Sequence, residues 1–540
     1  MLRKCGDIAF VVEMGGHLCY TTNNIKNLLR KCERMNINQE KRLGYSLIPD
    51  HVNPSPDYYC TWQTQLYATC DGKPQKQRAA MHEQALFDKE KPYGWAYFYE
   101  SARQDLFLVM DDSWDVPPTG ASEFYGSLVP DPEKFPSFTS PETVPQEAMK
   151  RLCDHVKSLG WKGLGGWICA QESPLYTGNL TKEEYWTKRL QWAAYAGMSY
   201  WKVDWGNRSQ EYEFRRGLPQ LARTYAPELI VENSMRKDVI PFSDVFRTYD
   251  VPAIMSIPMT LEKLRDLTDI SSPLENFKGL INCEDEVYIA AAGGFTMGVM
   301  RHPYAGPFPD GRADMSFPDL HRRLKTKMTE VTRAAHWHRI APAFGAEGSK
   351  MHFSQTRLTD TWKLKCREEE IESWWPSAMA SRNYMQEDTL TVSACASLGR
   401  CMAPPTVVPD SDGLVPFTVA SRNPNGAVSV ATLGRTLGRT YKIPRCDVTL
   451  DTGNALTFGI FGQYRNLILH TELDLANCRI AAQDLAYETA YDITTYVNIT
   501  GHTLIIPGTV IDAIGTMAQN DADTSEPGLI LTIQQKENIA

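Results

Sequence analysis

Between about residues 50 and 340 the chain switches repeatedly between a short apolar strand pattern and a helical stripe, and few folds can absorb that alternation. The strand patterns fall at Tyr58–Gln63, Leu106–Asp111, Gly163–Ile168, Ser199–Asp204, Leu229–Glu232, Val245–Thr248, Gly279–Asn282 and Phe295–Met300. Helical periodicity lies between them. In Ala148–Leu159 the residues Ala148, Met149, Leu152, Cys153, Val156 and Leu159 make one apolar stripe, and Gly160 follows as a C-terminal cap. Tyr185, Trp186, Leu190, Ala193 and Ala194 mark another helix, and the last spans about 319–338. Strand-helix units repeated in this way suit a closed (β/α)8 TIM barrel better than an open sheet.

After about residue 345 the helical period stops. Short alternating strands take over, among them Thr389–Cys395, Val415–Ala420, Ala427–Leu433, Thr457–Ile460, Asn466–His470 and Leu529–Gln534. Asn423-Pro424-Asn425-Gly426 and Asp451-Thr452-Gly453 are turn sequences between them. The expected α/β organisation is therefore an N-terminal hairpin and helix (1–45), a catalytic barrel (46–345) and an antiparallel β-sandwich (346–540).

A barrel of this kind carries its chemistry at the C-terminal ends of its strands. Asp111, Asp112, Asp204 and Asp250 all fall there. Lys202 and Asp204 share one face of their strand, because side chains alternate with period two. Acids gathered at one rim repel each other unless they bind a cation or many hydroxyl groups. His336 and His338 lie on the last helix rather than at the rim, so no metal or other cofactor is expected. Sugars fit the set better, since ionised carboxylates accept hydrogen bonds from paired hydroxyls. Trp62, Trp114, Trp201 and Trp205 lie near strand tips and could offer faces to sugar rings, although aromatic residues fill cores generally.

Charge and composition narrow the partners. A net charge of −9 and a pI near 5.8 oppose a nucleic-acid partner. No apolar run reaches the roughly 20 residues of a membrane span. The segment 1–10 makes a poor signal peptide, and the compartment and a homo-oligomer stay open. The 13 cysteines are scattered without Cys-x-x-Cys spacing, against a zinc site or a disulfide framework.

Three motifs then resemble one family. Tyr200-x-Lys202-x-Asp204, with Asp111-Asp112-x-Trp114 two strands earlier and Arg247 and Asp250 two strands later, is similar to the α-galactosidase clan of retaining glycoside hydrolases, chiefly families 27 and 36. Lys134-Phe135-Pro136 and the helix after it resemble that clan's third unit, and a barrel followed by a β-sandwich is its architecture. The resemblance implies a retaining exo-glycosidase acting on terminal α-galactosides or a related sugar, a β-L-arabinopyranoside or an α-N-acetylgalactosaminide. It makes Asp204 the nucleophile and Asp250 the acid/base; Asp244, Glu284 and Asp285 are the alternative acids within the barrel. Asp111, Asp112, Trp114, Lys202, Arg247, Trp62 and Asn233 would be sugar ligands. Two other readings compete: a non-catalytic sugar-binding barrel, and a lyase or isomerase forming a Schiff base on Lys202.

Overall fold

The computed structural model describes residues 41–70, 74–248, 255–267, 276–311, 324–345, 350–363, 389–438, 440–520 and 522–535. Eight parallel strands form the barrel: β1 (Tyr58–Cys60), β2 (Phe107–Met110), β3 (Gly163–Ile168), β4 (Tyr200–Val203), β5 (Ile230–Asn233), β6 (Val245–Arg247), β7 (Leu280–Asn282) and β8 (Gly298–Val299). β1 pairs with both β2 and β8, and one bridge from Asn282 to Thr296 closes the ring. All eight expected strands are present; four are trimmed by a residue or two, β1 and β8 by more, and β5 is shifted by one. Gln63 belongs instead to a helix, α1 (Trp62–Thr69).

The strands pack because their inward residues alternate large and small. Tyr58, Cys60, Phe107, Val109 and Tyr200 form one buried layer inside the ring. Tyr58 and Tyr200 meet edge to face, with ring centroids 5.1 Å apart. Room for them comes from glycine. A Cβ on Gly165 would stand 2.7 Å from the Tyr200 Cβ, and one on Gly298 would stand 2.5 Å from the Tyr58 hydroxyl.

Outside the ring lie α2 (Pro145–Ser158), α3 (Lys182–Ala196), α4 (Tyr212–Tyr225), α5 (Ser256–Asp266), α6 (Val287–Gly293) and α7 (Met328–Ile340). The stripe read in α2 is the buried one, apart from Leu159, which caps the helix and is half-buried. Thr181 and Glu184 form a reciprocal capping box at the start of α3, and Gly197 ends it with φ +67°.

The C-terminal region is a β-sandwich. An eight-stranded sheet that includes Phe417–Arg422, Val428–Leu433, Thr457–Phe461 and Gly528–Gln535 packs on a five-stranded sheet that includes Asp447–Gly453 and Asn466–Thr471. The sheets are mixed, not wholly antiparallel. Ser397–Arg400 runs parallel to Phe417–Arg422, Val428–Leu433 to Thr457–Phe461, and Asp447–Gly453 to Asn466–Thr471. Alternation along one strand carries no information about the direction of its neighbour, so the sequence pattern is blind to this. Arg333 on α7 joins the domains, donating to both oxygens of Asp484 at 2.8 and 2.9 Å with both side chains fully buried. The hairpin and helix read in 1–40 lie outside the described residues. Residues 42 and 43 bond to Tyr491 and Ala490 of the sandwich.

Candidate active site

At the C-terminal rim, alternation turns each strand's polar residues into the ring in a fixed order. Lys202, the third residue of β4, points inward and donates from Nζ to Asp111 Oδ2 at 2.7 Å. Cys60 Sγ donates to the same oxygen at 2.8 Å, and the Asp111 backbone N–H is held by Thr61 Oγ1. Burial works against the Lys202 charge, but Asp111 outweighs it and holds the ammonium well above its ordinary range. Met300 Sδ, 3.5 Å from Nζ, completes this corner.

Asp112, past the end of β2, turns the other way. It accepts from Arg78 Nε at 2.9 Å and from Ser113 Oγ at 2.7 Å. Burial pushes its carboxyl up to about 6, against the pull of Arg78. The Arg78 guanidinium in turn stands 5.6 Å from the Tyr125 ring centroid and 5.3 Å from that of Trp205. Tyr125, Trp167 and Trp205 pack together as an aromatic wall.

Asp204 follows β4 with its side chain 13% exposed. Trp167 Nε1 donates to its Oδ2 at 2.9 Å, and Arg247 Nη2 lies 3.1 Å from its Oδ1. Burial alone would raise this carboxyl, but Arg247, then Lys202 and the Trp167 hydrogen bond, hold it below its usual value. It is an ionised group at any pH near neutral. Arg215, reaching in from α4, fixes the end of the strand by donating to the Val203 carbonyl at 2.9 Å.

Arg247 on β6 joins the carboxylates. Its Nη1 is 3.3 Å from Glu232 Oε1 and its Nε is 3.4 Å from Glu284 Oε1, in addition to the Asp204 pair. Glu284, just past β7, is 4% exposed, and its carboxyl accepts no hydrogen bond from any described residue. Burial raises it to about 7, with Arg247 and Lys202 pulling the other way. A carboxyl that holds its proton near neutral pH beside one that does not is the charge pattern of an acid/base pair.

The remaining expectations sort by geometry. Trp62 is half-buried at the start of α1 and packs on the inner layer. Trp114 does not reach the rim as expected. It is fully buried and gives its indole N–H to the Trp167 carbonyl at 2.9 Å. Trp201 is also fully buried, since the residue before Lys202 points outward. Asn233 likewise faces the helices, donating to the Arg215 carbonyl and to Ser243 Oγ. The inward residue of β5 is Glu232, which the sequence reading passed over. Asp244 belongs to the strand's other end, bonded to Arg223 and the Val231 N–H. Asp285 is committed to the backbone N–H groups of Met300 and Arg301. Asp250 lies outside the described residues. Among the described residues no group of three or more His, Cys, Asp or Glu is placed to hold a metal ion.

The barrel and the β-sandwich after it are the layout of the α-galactosidase clan that the motifs resemble. No family model and no curated protein matches the chain. Among solved structures it is similar to a family 27 β-L-arabinopyranosidase from Geobacillus stearothermophilus (11% identity, 90% of this chain, 98% of that one, TM-score 0.42). It is also similar to an α-amylase from Anoxybacillus (10%, 90% and 99%, TM-score 0.38). A family 36 α-galactosidase from Geobacillus stearothermophilus matches over less (12%, 57% and 47%, TM-score 0.28). So distant a likeness leaves the chemistry to the side chains themselves.

Proposed function

We propose that this chain is a retaining exo-acting glycoside hydrolase, with terminal α-galactosides or a related β-L-arabinopyranoside or α-N-acetylgalactosaminide as substrates. The observation that carries the reading is Asp204, a strand-tip carboxylate kept ionised and oriented by Arg247, Lys202 and Trp167. In this role it attacks the anomeric carbon, and the bond to the leaving oxygen breaks as a second carboxyl gives that oxygen its proton. Water, deprotonated by the same second carboxyl, then releases the sugar with its configuration retained. The resemblance gives the acid/base role to Asp250. Lys202, Asp111 and Asp112 would hold hydroxyl groups, with Trp62 at the rim and Arg247 on the sugar's flank.

The Schiff-base alternative has little support. It needs a neutral amine, and Lys202 is paired with Asp111 and held charged. A screen of nitrophenyl α- and β-glycosides, with the anomer of the released sugar read by proton NMR, tests the proposal. Turnover of an α-galactoside or β-L-arabinopyranoside with retention is expected. Inversion, or no turnover of any glycoside, would refute it.

A further inference from the structure

Glu232 is a carboxylate with four hydrogen-bond donors inside the ring, and the sequence reading placed its neighbour Asn233, not Glu232, among the sugar ligands. It is fully buried on β5 and accepts from four different strands. Tyr200 Oη donates to Oε2 at 2.8 Å and Asn282 Nδ2 to the same oxygen at 2.8 Å. Tyr58 Oη and Arg247 Nη1 each donate to Oε1 at 3.3 Å. A buried carboxylate is tolerated only with such a set of donors. Burial first, and then the charge of Glu232, raise Tyr58 and Tyr200 well above the ordinary phenol range, so both stay donors at any working pH.

The consequence passes through Arg247. A guanidinium is a planar, rigid fork, so fixing one nitrogen fixes the directions of the others. Nη1 is set on Glu232, which leaves Nη2 facing Asp204 and Nε facing Glu284. We infer that Glu232 is a positioning residue: through Arg247 it orients and balances the charge around Asp204 without touching the sugar. This rests on the reading of Asp204 as the nucleophile. Among the described residues, the charged and titratable groups that face this network are Arg247, Lys202, Asp111, Asp204, Arg215, Glu284, Asp285, Tyr58, Tyr200 and Cys60. Of these, Arg247 is the one that contacts both Glu232 and Asp204 directly.

Glu232→Gln keeps the shape and removes the charge that offsets Arg247. The expected result is a kcat about tenfold lower, with KM and inhibition by free monosaccharide within about twofold of wild type. The acid limb of kcat/KM should move to lower pH, because Asp204 then feels more of the Arg247 charge. Weaker sugar binding with kcat and the profile unchanged would make Glu232 a ligand and overturn the inference. An unchanged kcat and profile, whatever the melting temperature, would make it merely structural and overturn it too. If the Gln variant does not fold, Tyr200→Phe removes one donor and leaves the charge. It should lower kcat at constant KM with no shift of the acid limb, and an unchanged kcat would contradict the inference. If wild type hydrolyses no glycoside, the proposed function fails separately. Carbodiimide coupling at Asp204, followed against pH by peptide mass spectrometry, then tests the positioning role. A lower midpoint in Glu232→Gln supports it, and an unchanged midpoint overturns it.

Discussion

The two ends of the barrel use the same residue types to opposite purpose. At the N-terminal base, Asp57 accepts from the Met297 N–H at 2.9 Å and from Asn53 at 2.7 Å, with His338 Nδ1 2.6 Å away. Asp105 there takes two hydrogen bonds from Arg339 Nε and a third, at 2.6 Å, from Nη2. Every oxygen is matched, and both carboxylates are fully buried. At the rim the donors run short. Among the described residues, Asp204 Oδ1 has only its ion pair with Arg247, and Glu284 accepts no hydrogen bond. Matched charges hold a fold together, while carboxyls short of donors leave capacity for a substrate and have protonation states set by their neighbours.

The largest way to break this contrast is Asp204→Asn. It should lower kcat by roughly 10³-fold or more with the melting temperature nearly unchanged, measured by steady-state kinetics and calorimetry. Near-normal turnover would remove the rim from the account. Asp250→Ala should come next, with a loss of about 10²–10⁴-fold on natural disaccharides. Aryl glycosides with good leaving groups should still be cleaved in the first step, and azide should rescue the second. If the same rescue appears in Glu284→Ala and not in Asp250→Ala, the acid/base is the described carboxyl at the tip of β7.

The base should respond in the opposite sense. Arg339→Ala strands a buried carboxylate and should cost about 3–5 kcal/mol of stability, read by urea titration. Its kcat at a temperature where it stays folded should match wild type. The smallest effect sharpens the comparison through pH. The Glu284 carboxyl is raised, so the folded state holds a proton that the unfolded chain has lost above about pH 4–5. Its contribution to stability is therefore fully present at low pH and disappears as pH rises through about 7. Glu284→Gln should flatten that slope, by roughly 1–3 kcal/mol between pH 5 and 8. A slope identical to wild type would mean that Glu284 is ionised throughout.

What could be read in advance followed the periodicities. Eight strands and the shared face of Lys202 and Asp204 come from the period of two. The same rule separates inward Glu232 from outward Asn233. It points to the right one only when Ile230–Asn233 is aligned with its neighbours, and the sequence does not supply that register. Tyr58 and Asn282 look like ordinary strand residues until the ring closes and brings them, with Tyr200, to one carboxylate. Trp167 sits in an apolar run whose only sign of function is the indole N–H that meets Asp204. Trp114 was expected at the rim because it lies near a strand tip in the Asp111-Asp112-x-Trp114 motif, but the chain turns there, with Ser113 at φ +77°, and buries it.

As the nucleophile, Asp204 would form a covalent bond to the sugar. Incubation with a fluorinated glycoside carrying a good leaving group, followed by peptide mass spectrometry, tests it most directly. Fluorine slows release of the intermediate more than its formation, so the sugar should stay attached to the peptide that contains Asp204. Attachment to a peptide bearing Glu284 or Asp111 instead, or turnover with inversion and no adduct, would contradict the account.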